Sequence, residues 1–366
     1  MSERFAFTDE FGPEKVIELA DPRSGLRAIL VVDNTAAGPS IGGCRMAPDV
    51  TDEECFRLAR AMTFKNAAAG LPHGGGKLVI IGDPAMPGDE KEALIRSLAR
   101  AIGEISSYIP GPDMGTDETA MAWIRDEIGR AVGLPREIGG IPLDEIGATG
   151  FGLSVAMRAA HDVLGVPLDG ARVAIQGYGA VGRWTAHHLA KLGAVIVAVS
   201  DSRGGIIAAD GLDLGRLDAL KAGGQSVADY EGARATGAQE VLTCACDILV
   251  PAARPDVIND GNAGAIKARL VLEGANIPAT AAAEDSLHAR GVWVVPDFIA
   301  NAGGVICAAV EYRGGAQRDA LSAIEELVYR NTAEVLTNAK TRRQTPRAAA
   351  LALAQARVRT AMRLRR

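Results

Sequence analysis

Two lysines and one aspartate are the residues of this chain best suited to chemistry. Lys65 and Lys77 lie 12 residues apart in FKNAAAGLPHGGGK, separated by an Ala-rich stretch, a proline and three glycines. Lysine among so many small residues marks a backbone that must come close to something. Asp113 follows in the turn-like IPGPDMGT. Two cations and one carboxylate can handle an anionic substrate and move its protons. A lysine held out of water beside another cation loses some of its preference for charge, which lets it act near neutral pH. Taken singly, each lysine reads equally as a surface charge, and an aspartate after proline as a turn former.

A redox partner is written downstream. RVAIQGYGAVGRWTAHHLAKLGAVIVAVSD holds Gly177, Gly179 and Gly182 as G-x-G-x-x-G, after an apolar strand and before a helix, with Asp201 19 residues beyond the last glycine. That context turns a weak pattern into a dinucleotide site. Gly177 makes the tight turn, Gly179 lets the backbone approach the pyrophosphate, and Gly182 lets helix pack on strand. The phosphates would sit at the helix N-terminus. Asp201 can accept from the adenosine ribose hydroxyls and repels a 2′-phosphate, which favours NAD over NADP; Arg203, two residues on, weakens that preference.

Bulk composition narrows the rest. With 366 residues the chain is long enough for two cores, and 48% hydrophobic with 23% charged residues fits a globular protein. A net charge of −6 and only 4% aromatics argue against nucleic-acid binding. No apolar run is long enough for a membrane span, and MSERFAFTDEFG has no signal core. Five scattered cysteines make no disulfide framework, so a reducing cytoplasm is expected. Cys244 and Cys246 lack C-x-x-C spacing, and the five histidines show no metal-ligand spacing.

The elements that position these residues read as α/β. Residues 26–33 form a strand. Thr51 and Glu54 open a helix with a capping-box pattern, which Gly70 and Pro72 end. Residues 78–81 make a short strand and 89–107 a helix. A Gly/Pro-rich stretch at 132–147 suggests a crossing between domains. From 149 onward a helix (153–164), a strand (172–176), the glycine turn, and strands near 248–250, 270–273 and 292–295 alternate with helices. That order argues for a Rossmann-type doubly wound nucleotide domain. The organisation expected is a substrate/catalytic α/β domain over 1–135, completed by a C-terminal helix at 331–366, and a dinucleotide domain over 136–330. From 332 to the end nine Lys/Arg face one Glu. Interleaved Ala and Leu read as a helix with a solvated face rather than an RNA-binding arm.

Eight blocks resemble the glutamate/leucine/phenylalanine/valine dehydrogenase superfamily: IGGCRMAP (41–48), MTFKNAAAGLPHGGGK (62–77), PDMGT (112–116), ATGFG (148–152), GYGAVG (177–182), CDILVPAA (246–253), LEGANIPAT (272–280) and VPDFIANAGGV (295–305). The resemblance implies NAD(P)-dependent, reversible oxidative deamination of an L-amino acid to a 2-oxo acid and ammonia. It implies a substrate cleft between two domains that close on substrate, and a symmetric homo-oligomer. Carried over position by position, Lys65 would bind the substrate α-carboxylate, Lys77 would polarise the carbonyl and activate water, and Asp113 would be the general acid/base. Asn276 would hold substrate or nicotinamide ribose, Thr149 would touch the nicotinamide amide, and Asn301 would lie at the cleft.

Three positions bear on the substrate. Where the glutamate branch has a lysine before GG-x-R, a glutamine three residues before the first active-site lysine, and a serine seven residues past the NAGG asparagine, this chain has Ile41, Met62 and Ala308. A γ-carboxylate facing these would lose water without gaining a partner, at a cost of several kcal/mol. An apolar side chain would gain roughly 1.5–3 kcal/mol. Leu-Val-Ile after Lys77 likewise resembles the branched-chain and aromatic group, so a leucine dehydrogenase-like enzyme acting on leucine, valine, isoleucine or phenylalanine is expected. PDMGTDETAMAWIRDE and ATGFG read more like the glutamate branch. His73 is either a structural cap or a pocket liner. The rival readings are a glutamate dehydrogenase with an altered pocket and a catalytically silent sensor that binds NAD or a metabolite.

Overall fold

The computed structural model describes residues 6–365. Residues 1–5, which open the N-terminal stretch read as lacking a signal core, and residue 366, the last of the basic stretch, lie outside the described residues. The chain forms two compact α/β units. One comprises Met1–Pro142, Val305–Ala320 and Ala352–Arg366; the other comprises Leu143–Gly304 and Leu321–Leu351.

The first unit is built on β1 (Lys15–Asp21), β2 (Leu26–Asn34), β3 (Ser40–Ala47), α1 (Asp52–Ala69), β4 (Gly74–Ile81), α2 (Gly88–Ala101), β5 (Tyr108–Pro112) and α3 (Glu118–Ile128). Its sheet runs β1-β2-β4-β3-β5, antiparallel on the β1 side and parallel among β4, β3 and β5. The apolar strands are covered on both faces. Val31 and Val79 pack with Cys55, Phe56 and Ala59 of α1. Leu30, Val32, Leu78 and Ile80 pack with Leu94, Leu98, Met121 and Ile124 of α2 and α3. Each such side chain contributes roughly 1.5–3 kcal/mol. Helix α1 starts as its sequence dictates: Thr51 Oγ1 accepts from the Glu54 amide at 3.1 Å, and Gly70 closes the helix in the left-handed region at φ 74°.

Strand β4 begins at Gly74, four residues before the expected 78. Its glycines are paired strand residues in tight surroundings: a Cβ on Gly75 would lie 2.0 Å from the Thr63 nitrogen of α1, and one on Gly74 would lie 1.7 Å from the Asn34 carbonyl oxygen. Lys77 therefore sits in the middle of a central strand.

The second unit contains α4 (Ala148–Leu164), β6 (Arg172–Gln176), α5 (Ala180–Lys191), β7 (Val195–Asp201), β8 (Gly204–Ile207), α6 (Leu214–Ala222), β9 (Arg234–Thr236), α7 (Ala238–Thr243), β10 (Ile248–Pro251), β11 (Leu270–Leu272), α8 (Ala281–Ala289), β12 (Trp293–Val295) and α9 (Asp297–Ala300). Its sheet order is β12-β11-β10-β6-β7-β8-β9, parallel from β12 to β7. The chain reverses its direction of winding at β6, between β10 and β7, where open α/β sheets hold ligands. The antiparallel edge β8–β9 was not foreseen; its strands have only four and three residues and little apolar signal.

Helices α10 (Gly303–Tyr312), α11 (Gln317–Arg342) and α12 (Pro346–Leu364) complete the chain. The expected C-terminal helix is thus two. Arg343 takes φ 52° and Pro346 stands at the first position of α12, so the backbone turns where a continuous helix would lose a donor. No helix among the described residues is long and apolar enough to cross a membrane.

Candidate active site

Three adjacent strands bring Lys77, Asp113 and Arg45 together. Lys77 is on β4, Arg45 on β3, and Asp113 directly follows β5. The Lys77 Nζ donates to Asp113 Oδ2, and Arg45 Nε donates to the same oxygen at 3.2 Å. Arg45 Nη1 also pairs with Glu54 Oε1 at 2.5 Å. Lys77 is 5% exposed, so its charge is stripped of most of its water and is met by a carboxylate instead. Burial pushes the Asp113 carboxyl up, but Lys77 and Arg45 outweigh it and hold it below its ordinary value. Asp113 is thus an anion poised beside a dehydrated ammonium.

Gly43 explains how the lysine reaches. A Cβ there would lie 2.7 Å from Asp113 Cβ and 3.1 Å from Lys77 Nζ. The missing side chain is the space through which Lys77 crosses β3. The turn after Asp113 is locked in turn: Thr116 Oγ1 accepts from the Asp113 amide at 3.1 Å and donates to the Cys44 carbonyl at 2.7 Å. Arg45, Gly43 and Thr116 carry no site role in the sequence reading, and Glu54 figures there only as a helix-opening residue. The signal available was the GGCRM block, where a cation follows two residues without side chains.

Of the other expected substrate residues, Lys65, Met62, Ile41 and Ala308 belong to this unit, whereas Asn276 belongs to the second. Lys65 is half-buried on α1, and Met62, also half-buried, lies three residues earlier on the same helix face. Ile41 on β3 and Ala308 on α10 are buried. The Ile41 carbonyl accepts from Asn66 Nδ2 at 3.4 Å, and the same amide donates to Gly74 O at 2.7 Å, tying α1 to the glycine strand. His73 is buried with Nδ1 3.1 Å from the Pro39 carbonyl and its ring edge-on to Tyr312. Burial lowers its pKa, so it is held as the neutral ring.

In the second unit the three fingerprint glycines serve three needs. Gly177 takes φ 101°, which a side chain resists, and a Cβ on Gly182 would lie 1.8 Å from the Gly177 carbonyl. Above Gly179 a Cβ would meet nothing within 4 Å. Gly179 is also the N-cap of α5 with no side-chain cap, so no capping side chain takes up the first amides of that helix. This cradle fits a pyrophosphate.

Asp201, at the end of β7, has its oxygens filled by the protein's own donors. Oδ1 accepts from the Arg203 amide at 2.9 Å and from Ser226 Oγ at 2.8 Å. Oδ2 accepts from Lys221 Nζ at 2.9 Å and the Val227 amide at 3.0 Å. Burial opposes its charge, but these donors hold the carboxyl well below its usual value. Asn301 is buried and donates to Asn276 Oδ1 at 3.0 Å; Asn276 is exposed. Thr149 lies in the first turn of α4, its Oγ1 3.3 Å from where a Gly304 Cβ would stand.

Known proteins resemble this chain over nearly its whole length. A family profile described as "Glu/Leu/Phe/Val dehydrogenase, dimerisation domain" matches residues 13–130, and one described as "Glutamate/Leucine/Phenylalanine/Valine dehydrogenase" matches residues 139–366. The glutamate dehydrogenase of Aeropyrum pernix is 41% identical over 355 residues, covering 91% of this chain and 85% of the relative. The NADP(+)-dependent glutamate dehydrogenase of Pyrobaculum calidifontis is 38% identical, covering 92% and 85%. Among solved structures, the hetero-hexameric glutamate dehydrogenase from Thermus thermophilus in its Leu bound form superposes with a TM-score of 0.86 at 32% identity, over 97% of this chain and 90% of that one. The L-tryptophan dehydrogenase from Nostoc punctiforme gives a TM-score of 0.77 at 25% identity, over 98% and 99%. The chain belongs to the glutamate/leucine/phenylalanine/valine dehydrogenase family, a family of amino acid dehydrogenases that work with a nicotinamide cofactor.

Proposed function

We propose that the protein catalyses the reversible, NAD-dependent oxidative deamination of an apolar L-amino acid to its 2-oxo acid and ammonia. The observation that carries this reading is the pair formed by buried Lys77 and half-buried Asp113 in a unit where Ile41 and Ala308 are buried and apolar. When bound, the nicotinamide ring accepts the hydride released from Cα. In this reading Lys65 holds the α-carboxylate by charge. Water adds to the carbon of the resulting substrate imine, and Asp113 takes the water's proton. Lys77 stabilises the partial negative charge that develops on that oxygen; Asp113 returns the proton to the amine, which leaves as ammonia while the hydroxyl gives its remaining proton to Asp113 and becomes the carbonyl. The carboxylate is kept ionised by two cations, so it begins the step as a base. The cofactor would lie on Gly177, Gly179 and Gly182, with Thr149, Asn276 and Asn301 near the nicotinamide end and Asp201 at the adenosine end.

The side chain is argued from desolvation. A second substrate carboxylate beside Ile41, Met62 and Ala308 would cost several kcal/mol unpaired, whereas an aliphatic or aromatic group gains roughly 1.5–3 kcal/mol. Cofactor reduction measured with leucine, valine, isoleucine, phenylalanine and glutamate tests it. Preference for an apolar amino acid is expected; preference for glutamate overturns it and favours the second reading, a glutamate dehydrogenase with an altered pocket, to which the names of the relatives point. Cofactor binding without turnover of any amino acid would leave a sensor. Ile41→Lys is expected to raise kcat/KM for glutamate relative to leucine about tenfold or more; an unchanged profile would remove Ile41 from the pocket.

NAD is favoured by the negative charge of Asp201. NADP is the alternative, because Lys221 neutralises that carboxylate and Arg203 lies exposed beside it. The ratio of kcat/KM for the two cofactors decides. We further infer a homo-oligomer, supported by the dimerisation-domain profile over residues 13–130, and a cytoplasmic setting, supported by five free buried thiols.

A further inference from the structure

A second charged cluster lies in the dinucleotide unit. Arg347, in the first turn of α12, meets three carboxylates from three other segments. Its Nη2 donates to Glu273 Oε2 at 2.7 Å, its Nε donates to Glu284 Oε1 at 2.6 Å, and Nη2 is 3.1 Å from Asp297 Oδ1. Its guanidinium also lies 5.7 Å from the centre of the Phe298 ring. Glu273, Glu284 and Asp297 are all buried, at 0%, 4% and 6% exposure. These four are the charged groups that face one another here. Three carboxylates against one guanidinium would leave two uncompensated charges out of water, a state proteins avoid by keeping protons. Burial and the Glu284 charge raise Glu273, and burial raises Glu284. Among the described residues Glu273 Oε1 has no hydrogen-bond partner, which leaves it as a place for that proton.

The cluster is wired to one short turn. Glu273 begins the segment EGANI, and its Oε2 accepts from the Asp297 amide at 2.9 Å. Asp297 Oδ2 accepts from the Ile277 amide at 2.9 Å. Ile277 has φ 48°, a conformation a β-branched residue adopts only under constraint, and is 47% exposed, so packing does not hold it there. Beside it stands Asn276.

We propose that Arg347, Glu273, Glu284 and Asp297 form a protonation-dependent clamp that sets the Asn276–Ile277 turn, with Arg347 and Glu284 acting as positioning residues for Asn276. The clamp is tight while the cluster keeps a proton and loosens when high pH removes it. The part played by Asn276 rests on the function proposed above.

Two measurements on the full-length protein test this. Amide hydrogen exchange over residues 274–278 reads the turn without reference to activity. In wild type, protection there should fall at alkaline pH more than in the rest of the unit. Glu284→Gln, which fixes the neutral form, should remove that alkaline loss. Arg347→Met should speed exchange at these amides about tenfold, with Arg347→Lys in between. In turnover, Arg347→Met should raise KM for amino acid or cofactor about tenfold with a smaller change in kcat, and Glu284→Gln should move the alkaline limb of kcat/KM upward. Unchanged exchange in folded Arg347→Met, or an identical alkaline dependence in Glu284→Gln, overturns the clamp; the latter still decides if Arg347→Met does not fold. Wild type that turns over no amino acid while the exchange pattern holds would sink the proposed function and leave the clamp standing.

Discussion

The two buried charge clusters are opposites in their balance. In the first unit, Lys77 and Arg45 face Asp113 and Glu54, two cations for two anions. In the second, Arg347 alone faces Glu273, Glu284 and Asp297. The first holds its acid ionised, below the ordinary carboxylate value; the second pushes its glutamates above it. The same residue types, with part-exposed acids in the first cluster and fully buried ones in the second, therefore do different work. A balanced cluster keeps a base ready for a proton, and an anion-rich cluster keeps a proton from leaving. Burial pushes the Asp113, Glu273 and Glu284 carboxyls up, and the number of cations within reach decides whether that push is overcome.

The largest effect expected from breaking this contrast is at Lys77. Lys77→Ala should lower kcat by about 10³–10⁴-fold while nucleotide affinity, followed by fluorescence titration, stays near wild type. A parallel loss of nucleotide affinity would mean that Lys77 supports the fold rather than the reaction. Arg347→Met comes next. It leaves three carboxyls without a cation and should cost about 3 kcal/mol at alkaline pH. The sign follows from the raised glutamates: the folded state keeps protons that the unfolded chain releases, so stability falls as pH rises above the ordinary glutamate value toward the raised one. The deficit in denaturant melts should therefore shrink in mild acid; a deficit independent of pH would refute the shared proton. The smallest effect is at Arg45. Arg45→Gln takes one cation from Asp113, so its carboxyl rises toward the usual value. The acid limb of kcat/KM should move to higher pH, with a loss of about three- to tenfold near neutrality. A limb that stays in place would show that Lys77 alone sets the Asp113 charge.

Much of the scaffold was legible because local rules and tertiary packing agree. Thr51 caps α1 and Gly70 closes it, although the Glu54 side chain goes to Arg45 rather than completing a capping box, and the apolar runs at 172–176 and 248–250 are strands because both faces of a parallel sheet are covered. The glycine strand was misread at its start. Three glycines argue locally for a loop, and only the approach of α1 to Gly75 and of the Asn34 backbone to Gly74 shows why β4 needs them. Asp201 carries a different lesson. Its place at the end of β7 follows from the fingerprint, but the donors from Lys221, Ser226 and Val227 that fill its oxygens come from 20 to 26 residues away.

The order of residue types along the chain determined the family, the two α/β units and the presence of Lys77, Asp113 and the glycine turn, since these depend on short-range spacing. Only the tertiary structure decided that Gly43 opens the way from Lys77 to Asp113, that Arg45 shares that carboxylate, and that Arg347 must serve three acids. Those facts depend on strand order and helix docking, which set neighbours across 36 to 74 residues of chain, and a proton responds to neighbours in space.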